Sequence, residues 1–362
     1  MKILFLTPWY PNPDNPTLGN FIIRQAELLA EEHEVFMLAF SPVHQALMPF
    51  EEKSIQLGKL QGFHYLYTAG GRSSLLGRLR SRQAALHRVQ QFGFLPDFIH
   101  GQILHHSGDL LYYFKKQFAV PVVCSEHWSG HLAERNAKMN AWELIRFELA
   151  KRSVALALPV TEQLQHSLQI KGFQAAVWRN PVDGNLFYPQ ENKAFDFMHL
   201  STLDANKRPL DILQAFHQVW KKYPQARLSI GGDGPLPPLL EMKKALQLPD
   251  EAVEIHGTLN YQEAAERMRN ARCLVQFSGY ENLPCTIGEA LMAGLWVISS
   301  NVGGIKELVN SQNGVLVNKQ APEELAKAML HFMQNAPVPA PFHALDQTQL
   351  LHEFNQMISP IL

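Results

Sequence analysis

The sequence predicts an α/β protein of two facing Rossmann-like domains with a deep cleft between them. Short β-branched or apolar runs alternate with helical patterns from end to end, which is typical of parallel sheets covered by helices on both faces. The length of 362 residues fits two domains, and the segment 180–185 separates two sets of strand–helix units. Ligands of such sheets bind outside the carboxyl ends of the strands, so we expect a site in the cleft.

The first domain is predicted to span residues 1–183. Thr161 suits the N-cap of a late helix, and Gly172 suits the position just after that helix ends. The predicted strands lie at 2–7, 35–40, 63–67, 98–101, 122–125, 155–159 and 175–178, and helical patterns between them include 21–31, 75–91 and 142–152.

The second domain is predicted to span residues 190–336. Pro209 and Pro322 suit first helical positions, and Asn260 with Glu263 forms a capping-box-like pair. A proline-rich linker then precedes a helical pattern at 347–358, and the C-terminal segment 346–362 is a candidate to pack back on the first domain. The predicted strands lie at 196–200, 226–231, 253–256, 273–277, 296–299 and 314–317.

Composition excludes several classes of protein. A formal net charge of -1 gives no indication of nucleic-acid binding. The three cysteines, Cys124, Cys273 and Cys285, have no Cys-x-x-Cys spacing, which argues against a disulfide framework and a zinc site. No apolar run reaches 18 residues, and the opening apolar run stops at Pro8. The sequence therefore predicts a cytoplasmic protein.

The segment 279–294 carries the strongest chemical signal. It follows the predicted strand 273–277 and opens a helix, whose N-terminus suits a diphosphate. Glu281 lies on the loop and Glu289 inside the helix, and carboxylates are strong acceptors for sugar hydroxyls. No Asp-x-Asp is present to hold a divalent cation on a diphosphate. No Gly-x-Gly-x-x-Gly follows the first strand, which weakens a dehydrogenase interpretation.

The segment resembles the Glu-x7-Glu region of family 4 of the retaining glycosyltransferases (glycosyl transferases group 1), bacterial type, which have the GT-B architecture. The order and spacing of further motifs support the resemblance. These are Asn180-Pro181-Val182-Asp183 at the hinge, Gly231-Gly232-Asp233-Gly234-Pro235 after a strand, Gly303-Gly304 with Glu307 and Asn313-Gly314 near the end, and the proline-rich loop 8–13 with Gly19 at the start.

The resemblance implies roles for residues of the second domain. Glu281 would contact hydroxyls of the donor sugar and Glu289 the nucleotide ribose, and the amides around Asn282 and Leu283 would approach the sugar and phosphates. Lys207 matches the family's phosphate-binding lysine, whose charge stabilises the departing diphosphate without covalent chemistry.

One position departs from the family's pattern. Many relatives carry an arginine five residues before the lysine, where this chain has Thr202. Arg208, next to the lysine, is a candidate replacement for the lost guanidinium.

His127 ends the predicted strand 122–125 and resembles the histidine that the family places near the anomeric centre. A lone histidine is more often structural, but the end of a strand favours a role in the site. His100, His105 and His106 follow another strand end. Because no carboxylate cluster is seen to accompany them in sequence, we predict no metal site there.

We therefore expect a retaining, metal-independent glycosyltransferase of cell envelope polysaccharide biosynthesis. It would need no cofactor, since the nucleotide sugar is a substrate. The donor would bind the second domain. The acceptor, whether a glycan, a lipid-linked group or a small molecule, would bind the first domain near the loop that includes Gly19. Glu126 is the one carboxylate beside His127 in sequence, so a front-face displacement is favoured over a covalent intermediate. A nucleotide-sugar epimerase and a non-catalytic sugar-nucleotide-binding subunit remain alternatives.

The segment 71–93 has a basic amphipathic pattern and no acidic residue. Such a helix can lie on an anionic bilayer, which would make the protein peripheral at the inner face of the membrane. The alternative is an ordinary Rossmann helix with its arginines in water. The cations are Arg72, Arg78, Arg80, Arg82 and Arg88, and the apolar residues between them are Leu75, Leu76, Leu79, Leu86 and Val89.

Overall fold

Two parallel-sheet units make up the chain in a computed structural model, which describes residues 1–45, 47, 49–132, 135, 137–318 and 321–362. The first unit comprises Met1–Pro181 together with Thr348–Leu362, and the second comprises Val182–Gln347. Among the described residues, none of the helices combines the length and the apolar character that crossing a membrane requires.

The first unit consists of a sheet with helices on both faces, as the strand–helix alternation predicts. Its strands are β1 (Lys2–Thr7), β2 (Glu34–Val43), β3 (Glu51–Leu57), β4 (Leu60–Thr68), β5 (Phe98–Gln102), β6 (Val122–Glu126) and β7 (Leu156–Pro159). Its helices are α1 (Asn20–Glu32), α2 (Gly71–Gln91), α3 (Leu104–Phe118), α4 (Ala141–Ser153) and α5 (Glu162–Ile170), with a short 3₁₀ helix at Ser129–His131.

The strands of the first sheet lie in the order β3-β4-β2-β1-β5-β6-β7. From β1 the chain builds outward through β2 on one side and through β5 on the other, so the topological switch point lies between β1 and β5. All neighbours are parallel except β3 and β4, which form an antiparallel hairpin at the edge. The sequence analysis missed β3, because this edge strand is mostly charged or polar and buries only Ile55.

The prediction of a strand at 175–178 is wrong. The segment makes only an isolated bridge between Ala157 and Ala175, followed by a bond from the Trp178 amide to the Pro159 carbonyl. Its apolar character reflects a different packing partner. Trp178 is fully buried, and its ring lies 4.7 Å from that of Phe354, near the C-terminus.

The second unit is a sheet of parallel strands in the order β10-β9-β8-β11-β12-β13. Pro209 and Pro322 begin helices, and Asn260 forms the predicted capping box with Glu263. The strands are β8 (Phe195–Ser201), β9 (Leu228–Gly232), β10 (Val253–Ile255), β11 (Ala271–Gln276), β12 (Trp296–Ser300) and β13 (Gly314–Val317). The helices are α6 (Pro209–Lys222), α7 (Pro237–Ala245), α8 (Tyr261–Arg269), α9 (Cys285–Met292) and α10 (Pro322–Asn335), with a 3₁₀ helix at Gly303–Glu307.

The last helix, α11 (Gln347–Ile358), packs on the first unit. The indole N–H of Trp178 donates to the Leu350 carbonyl at 2.9 Å, and the Phe354 ring stacks on His100 at 5.4 Å. At the other end of the helix, the Asn355 amide oxygen lies 2.9 Å from His33 Nε2. The chain thus leaves the first unit at Pro181 and returns to it with this helix.

Candidate active site

The site in the second unit forms at the topological switch point of the sheet, where the strand order reverses between β8 and β11. In a parallel sheet the loops after neighbouring strands lie at one edge, so the loop after β8 meets the loop after β11. Lys207 of the first loop and Glu281 of the second form a direct ion pair. Their side chains are 18% and 10% exposed, so both charges are partly screened from water yet accessible.

The loop after β8 is shaped by Asp204. Its Oδ1 accepts from the amides of Asn206 and Lys207 at 2.8 and 3.0 Å, and its Oδ2 accepts from the Thr202 hydroxyl at 2.8 Å. Thr202, at the position where the resemblance leads us to expect an arginine, therefore supports the loop. The turn fixes the backbone from which the Lys207 side chain extends.

Arg208 occupies the N-cap of α6 with a left-handed backbone, φ 50°. Its guanidinium lies over the Phe277 ring at 5.5 Å, and Nη2 is 3.9 Å from the point that a Cβ on Gly279 would occupy. Arg208 therefore extends toward the start of the loop that carries Glu281.

The loop after β11 rests on the turn after β12. Gly303 adopts φ 55°, and a Cβ there would lie 2.1 Å from the Glu281 carbonyl oxygen. The Gly304 amide donates to the Asn282 carbonyl at 2.8 Å. Only a glycine at 303 permits this approach, and the approach explains the Gly303-Gly304 pair of the sequence.

Two carboxylates flank the start of α9. Glu281 precedes the helix, and Glu289 lies inside it and is 5% exposed. The N-cap of α9 is Pro284, and no side-chain cap bonds its first turn. An N-terminus of this kind suits an anionic ligand. Asn282 is buried and Leu283 half-buried at the same end of the helix.

In the first unit, His127 follows β6 and belongs to a hydrogen-bonded chain. His127 Nε2 lies 3.0 Å from Gln102 Oε1. The Gln102 amide donates to Gln25 at 3.2 Å, and Gln25 donates to Asn180 Oδ1 at 3.0 Å. Gln102 therefore accepts the Nε2 proton of a neutral His127. Burial lowers the pKa of His127 to about 4, so the ring is neutral at physiological pH.

The sequence analysis missed Gln102 and Gln25. Gln102 ends the fully buried strand β5, and Gln25 lies on the buried face of α1. A polar residue on a buried face was the available signal, since buried polar groups need partners.

The loop after β1 packs beside His127. Gly19, the N-cap of α1, has φ 75°, and a Cβ there would lie 2.4 Å from the Trp9 carbonyl oxygen. The Trp9 indole donates to His106 Nδ1 at 3.2 Å, and the Phe21 ring lies 4.7 Å from that of His127. The carboxyl edge of the first sheet thus brings together His127 and the loop that contains Gly19.

The premise that no carboxylate accompanies the histidines after β5 is wrong. Ligand atoms of the buried residues His105, Glu126 and His131 lie within 4.8 Å of one another. In a second group, His106 Nε2 is 3.6 Å from Glu143 Oε1. Sequence spacing did not reveal these groups, because their members come from α3, α4, β6 and the 3₁₀ helix after it.

The hydrogen-bond donors around His105, Glu126 and His131 favour a structural ion pair over a metal site. Lys171 Nζ lies 3.5 Å from His131 Nδ1 and donates to the His131 carbonyl at 2.9 Å. An ammonium only donates, so Nδ1 of His131 can only accept from Lys171, while Nε2 lies 3.5 Å from Glu126 Oε2. A metal-binding histidine needs that nitrogen unprotonated and donates through the other. The Lys171 ammonium beside Nδ1 therefore does not suit a metal on Nε2 of His131.

Glu126 is fully buried and anchors the end of β6. Its carboxylate accepts from the amides of Leu104, His127 and Trp128 at 2.9, 2.8 and 2.8 Å. Although burial alone raises the pKa of Glu126, hydrogen bonding from His131 and from the Trp128 amide lowers it to about 2. The carboxylate is thus a fixed anion that orients the backbone of His127.

Comparison with known proteins identifies the second unit. Residues 194–335 match the family model of the glycosyl transferases group 1. The second unit is a group 1 glycosyl transferase domain. This result confirms the resemblance of the Glu281–Glu289 segment to the glycosyl transferases group 1. A putative teichuronic acid biosynthesis glycosyltransferase of Bacillus subtilis is 20% identical over 356 residues, which cover 92% of this chain and 89% of that protein.

Further similarities extend over most of the chain. A sulfoquinovosyl transferase of Arabidopsis thaliana is 26% identical over 267 residues, 66% of this chain, and this chain spans only 50% of the length of that protein. Among solved structures, Anabaena HepE in complex with UDP and glucose has a TM-score of 0.74 at 17% identity, covering 99% of this chain and 100% of that one. This similarity confirms the GT-B fold of two Rossmann-like α/β domains.

The buried histidines predict a pH dependence of stability. Burial is the main cause that lowers the pKa of His64 and His127 to about 4 and of His100 and His105 to about 3, from 6.5. Below about pH 6.5 these histidines bind more protons in the unfolded chain than in the folded one. The free energy of unfolding therefore decreases as the pH is lowered. We expect a lower urea midpoint by tryptophan fluorescence at pH 5.0 than at pH 7.5.

His100→Gln provides the comparison for this prediction. The substitution removes one titrating group, so the midpoint should change less between the two pH values than in the wild type. A wild-type midpoint that is equal at pH 5.0 and 7.5 would contradict the assignment of these histidines as neutral in the folded state.

Proposed function

We propose that this protein is a retaining, metal-independent glycosyltransferase that moves a sugar from a nucleotide-sugar donor to an acceptor. The donor binds the second unit and the acceptor binds the first. The observation that carries the proposal is the contact between Lys207 and Glu281 on adjoining loops at the switch point of the second sheet. A cation suited to a diphosphate thus lies beside a carboxylate suited to sugar hydroxyls.

The two charges have complementary tasks in donor binding. Glu281 accepts hydrogen bonds from sugar hydroxyls, and Lys207 neutralises charge on the departing diphosphate. Arg208 and the N-terminus of α9, with the amides around Asn282 and Leu283, add positive potential for the phosphates. Glu289, farther along α9, binds the ribose. HepE, whose structure contains UDP and glucose, supports this class of donor.

The surroundings of His127 support a front-face displacement. In that reaction the acceptor oxygen bonds to the anomeric carbon on the face from which the diphosphate oxygen leaves, and the acceptor proton passes to the leaving group. Glu126 is fully buried and already accepts three backbone amides. A carboxylate so engaged is a poor nucleophile for a covalent intermediate. His127, neutral and fixed by Gln102, would lie near the anomeric centre.

Three of the five arginines in the segment 71–93 are engaged within the unit, contrary to the predicted basic surface. Of the five arginines in that segment, Arg78 is buried and bound to Asp109 at 2.6 Å. Arg88 pairs with Glu52 at 2.7 Å, and Arg82 stacks on Tyr113 at 4.0 Å. These three cations serve the fold, because they lie on the face of α2 that packs against the unit.

Apolar side chains lie among the exposed residues at the start of α2 and α4. Leu75 and Leu76, at the start of α2, are 46% and 57% exposed. Trp142, at the start of α4, is 61% exposed, with Leu144 and Ile145 near it in sequence. Asp109 on α3 joins α2 and α4, since it pairs with both Arg78 and Arg146. We propose this surface, with the exposed Arg72 and Arg80, as a peripheral contact with an anionic membrane on the cytoplasmic side, where a lipid-linked acceptor of cell envelope synthesis would reside.

The roles of the two charges are tested by substitution. Lys207→Ala and Glu281→Ala should each lower kcat by about 10²-fold or more, because each removes a transition-state contact in a shielded site. The measurement is turnover of a panel of UDP-, GDP- and ADP-sugars with glycan and lipid acceptors. Glu289→Ala is the contrast, because it should raise the Kd of the nucleotide more than it lowers kcat. Full turnover in Lys207→Ala would refute the proposed mechanism. Conversion of the donor by the wild type in the absence of any acceptor would indicate an epimerase.

Metal independence is tested by chelation. Because Lys207, Arg208 and a helix N-terminus address the diphosphate, transfer should proceed at an unchanged rate in EDTA. The rate is measured before and after addition of excess magnesium or manganese. Loss of transfer in EDTA that either ion restores would show that a cation holds the diphosphate.

The membrane contact is tested by co-sedimentation with vesicles. The wild type should bind vesicles that contain phosphatidylglycerol at low salt and bind less at physiological salt, because screening weakens the arginine term. The double variant Leu76→Ser/Trp142→Ser should bind several-fold more weakly. Leu240→Ser, which changes an exposed leucine of the second unit, is the matched control and should bind normally. Equal binding by both variants would exclude this surface.

A further inference from the structure

A third residue of the second unit joins the two loops that carry Lys207 and Glu281. The Asn206 carbonyl accepts from the Gly279 amide at 2.8 Å. The Asn206 side-chain oxygen accepts from the Tyr280 amide at 3.0 Å, and its side-chain nitrogen donates to the Tyr280 carbonyl at 3.1 Å. One residue thus makes three hydrogen bonds to a segment 74 positions away.

These three hydrogen bonds are called the Asn206 clamp below. A charged residue follows the clamp in each of the two loops. Lys207 follows Asn206 and Glu281 follows Tyr280, and their side chains meet. The backbone of Asn206 is also fixed within its own loop, because its amide donates to Asp204 Oδ1 at 2.8 Å. One asparagine therefore ties the backbone beside Lys207 to the backbone beside Glu281.

Asparagine is the residue that this geometry requires. Its planar amide carries a donor and an acceptor side by side, as a backbone peptide does, and both match the N–H and C=O of Tyr280. Aspartate would keep the acceptor, but it cannot donate to the Tyr280 carbonyl. Glutamine has the same group on a stem one methylene longer. The glycine at 279 leaves room for this side chain, since a Cβ there would lie 3.2 Å from Asn206 Oδ1.

We propose that Asn206 is a positioning residue that sets the separation of Lys207 and Glu281 for the sugar diphosphate. This inference rests on the proposed function. Asn206 acts through Lys207 and Glu281 and contacts neither the sugar nor the phosphates in the reaction. A displacement of about 1 Å in a reacting group can cost about 10²-fold in rate, so loss of the clamp is felt mainly in kcat.

The test compares Asn206→Ala and Asn206→Asp with the wild type in steady-state turnover. Both variants should lose between about 10- and 100-fold in kcat, with a KM for the donor that changes less. Asn310→Ala is the matched control. Asn310 supports an exposed turn by accepting from the Gln312 amide at 2.9 Å, so its loss should leave kcat unchanged. Thermal melts show that each variant is folded. A kcat of Asn206→Ala within twofold of the wild type would overturn the inference.

A double variant separates positioning from simple structural support. If Asn206 acts through Lys207 and Glu281, then Asn206→Ala should lower kcat by a smaller factor in the Lys207→Ala background than in the wild type. Multiplicative losses would mean that Asn206 acts by another route, and they would overturn the inference.

Hydrogen exchange tests the clamp without turnover. The Tyr280 amide should exchange faster in Asn206→Ala than in the wild type or Asn310→Ala. Equal exchange would overturn the inference. A Lys207→Ala variant with full turnover would instead refute the proposed function, and Asn206 would then be a clamp with no charges to position.

Discussion

Parallel strands all end at the same edge of their sheet, and this constraint determines where the chemistry of the molecule lies. In the second unit the order of strands places β8 beside β11, so that the loops after them adjoin. Lys207 and Glu281 are 74 residues apart and still form an ion pair. In the first unit the same rule brings the loop after β1 beside the ends of β5 and β6. Neither arrangement needs residues that are close in sequence.

The sequence predicted most of the fold because the two sheets are buried on both faces. Apolar runs such as those of β1, β6 and β11 have one interpretation in an alternating pattern, and Pro209, Pro322 and the Asn260–Glu263 pair fixed helix starts. The failures have physical causes. β3 lies at an exposed edge and has no apolar run, so nothing in its composition distinguished it from a loop. The segment 175–178 is apolar because Trp178 is buried by α11, and burial alone does not distinguish a strand from a covered connection.

The sequence predicted which residues belong to the candidate site and which loops carry them. It could not predict the contacts between their side chains. A resemblance supplied Glu281 and Lys207 as partners of one ligand, but their contact depends on the register of β8 against β11. Asn206 has no signature, since an asparagine in a loop is ordinary in any sequence. The amphipathic pattern of 71–93 was real, but helical spacing could not show that Arg78 is directed inward to Asp109. A bidentate ion pair is a property of three dimensions.

The return of α11 to the first unit divides the chain unequally for any experiment that separates its parts. The second unit is one continuous stretch, whereas the first is made of two pieces from opposite ends of the sequence. A fragment that stops at Pro181 would leave Trp178 without the carbonyl and the aromatic ring that cover it. Exchange of second units between relatives therefore calls for two junctions, with the native C-terminal helix retained by the recipient.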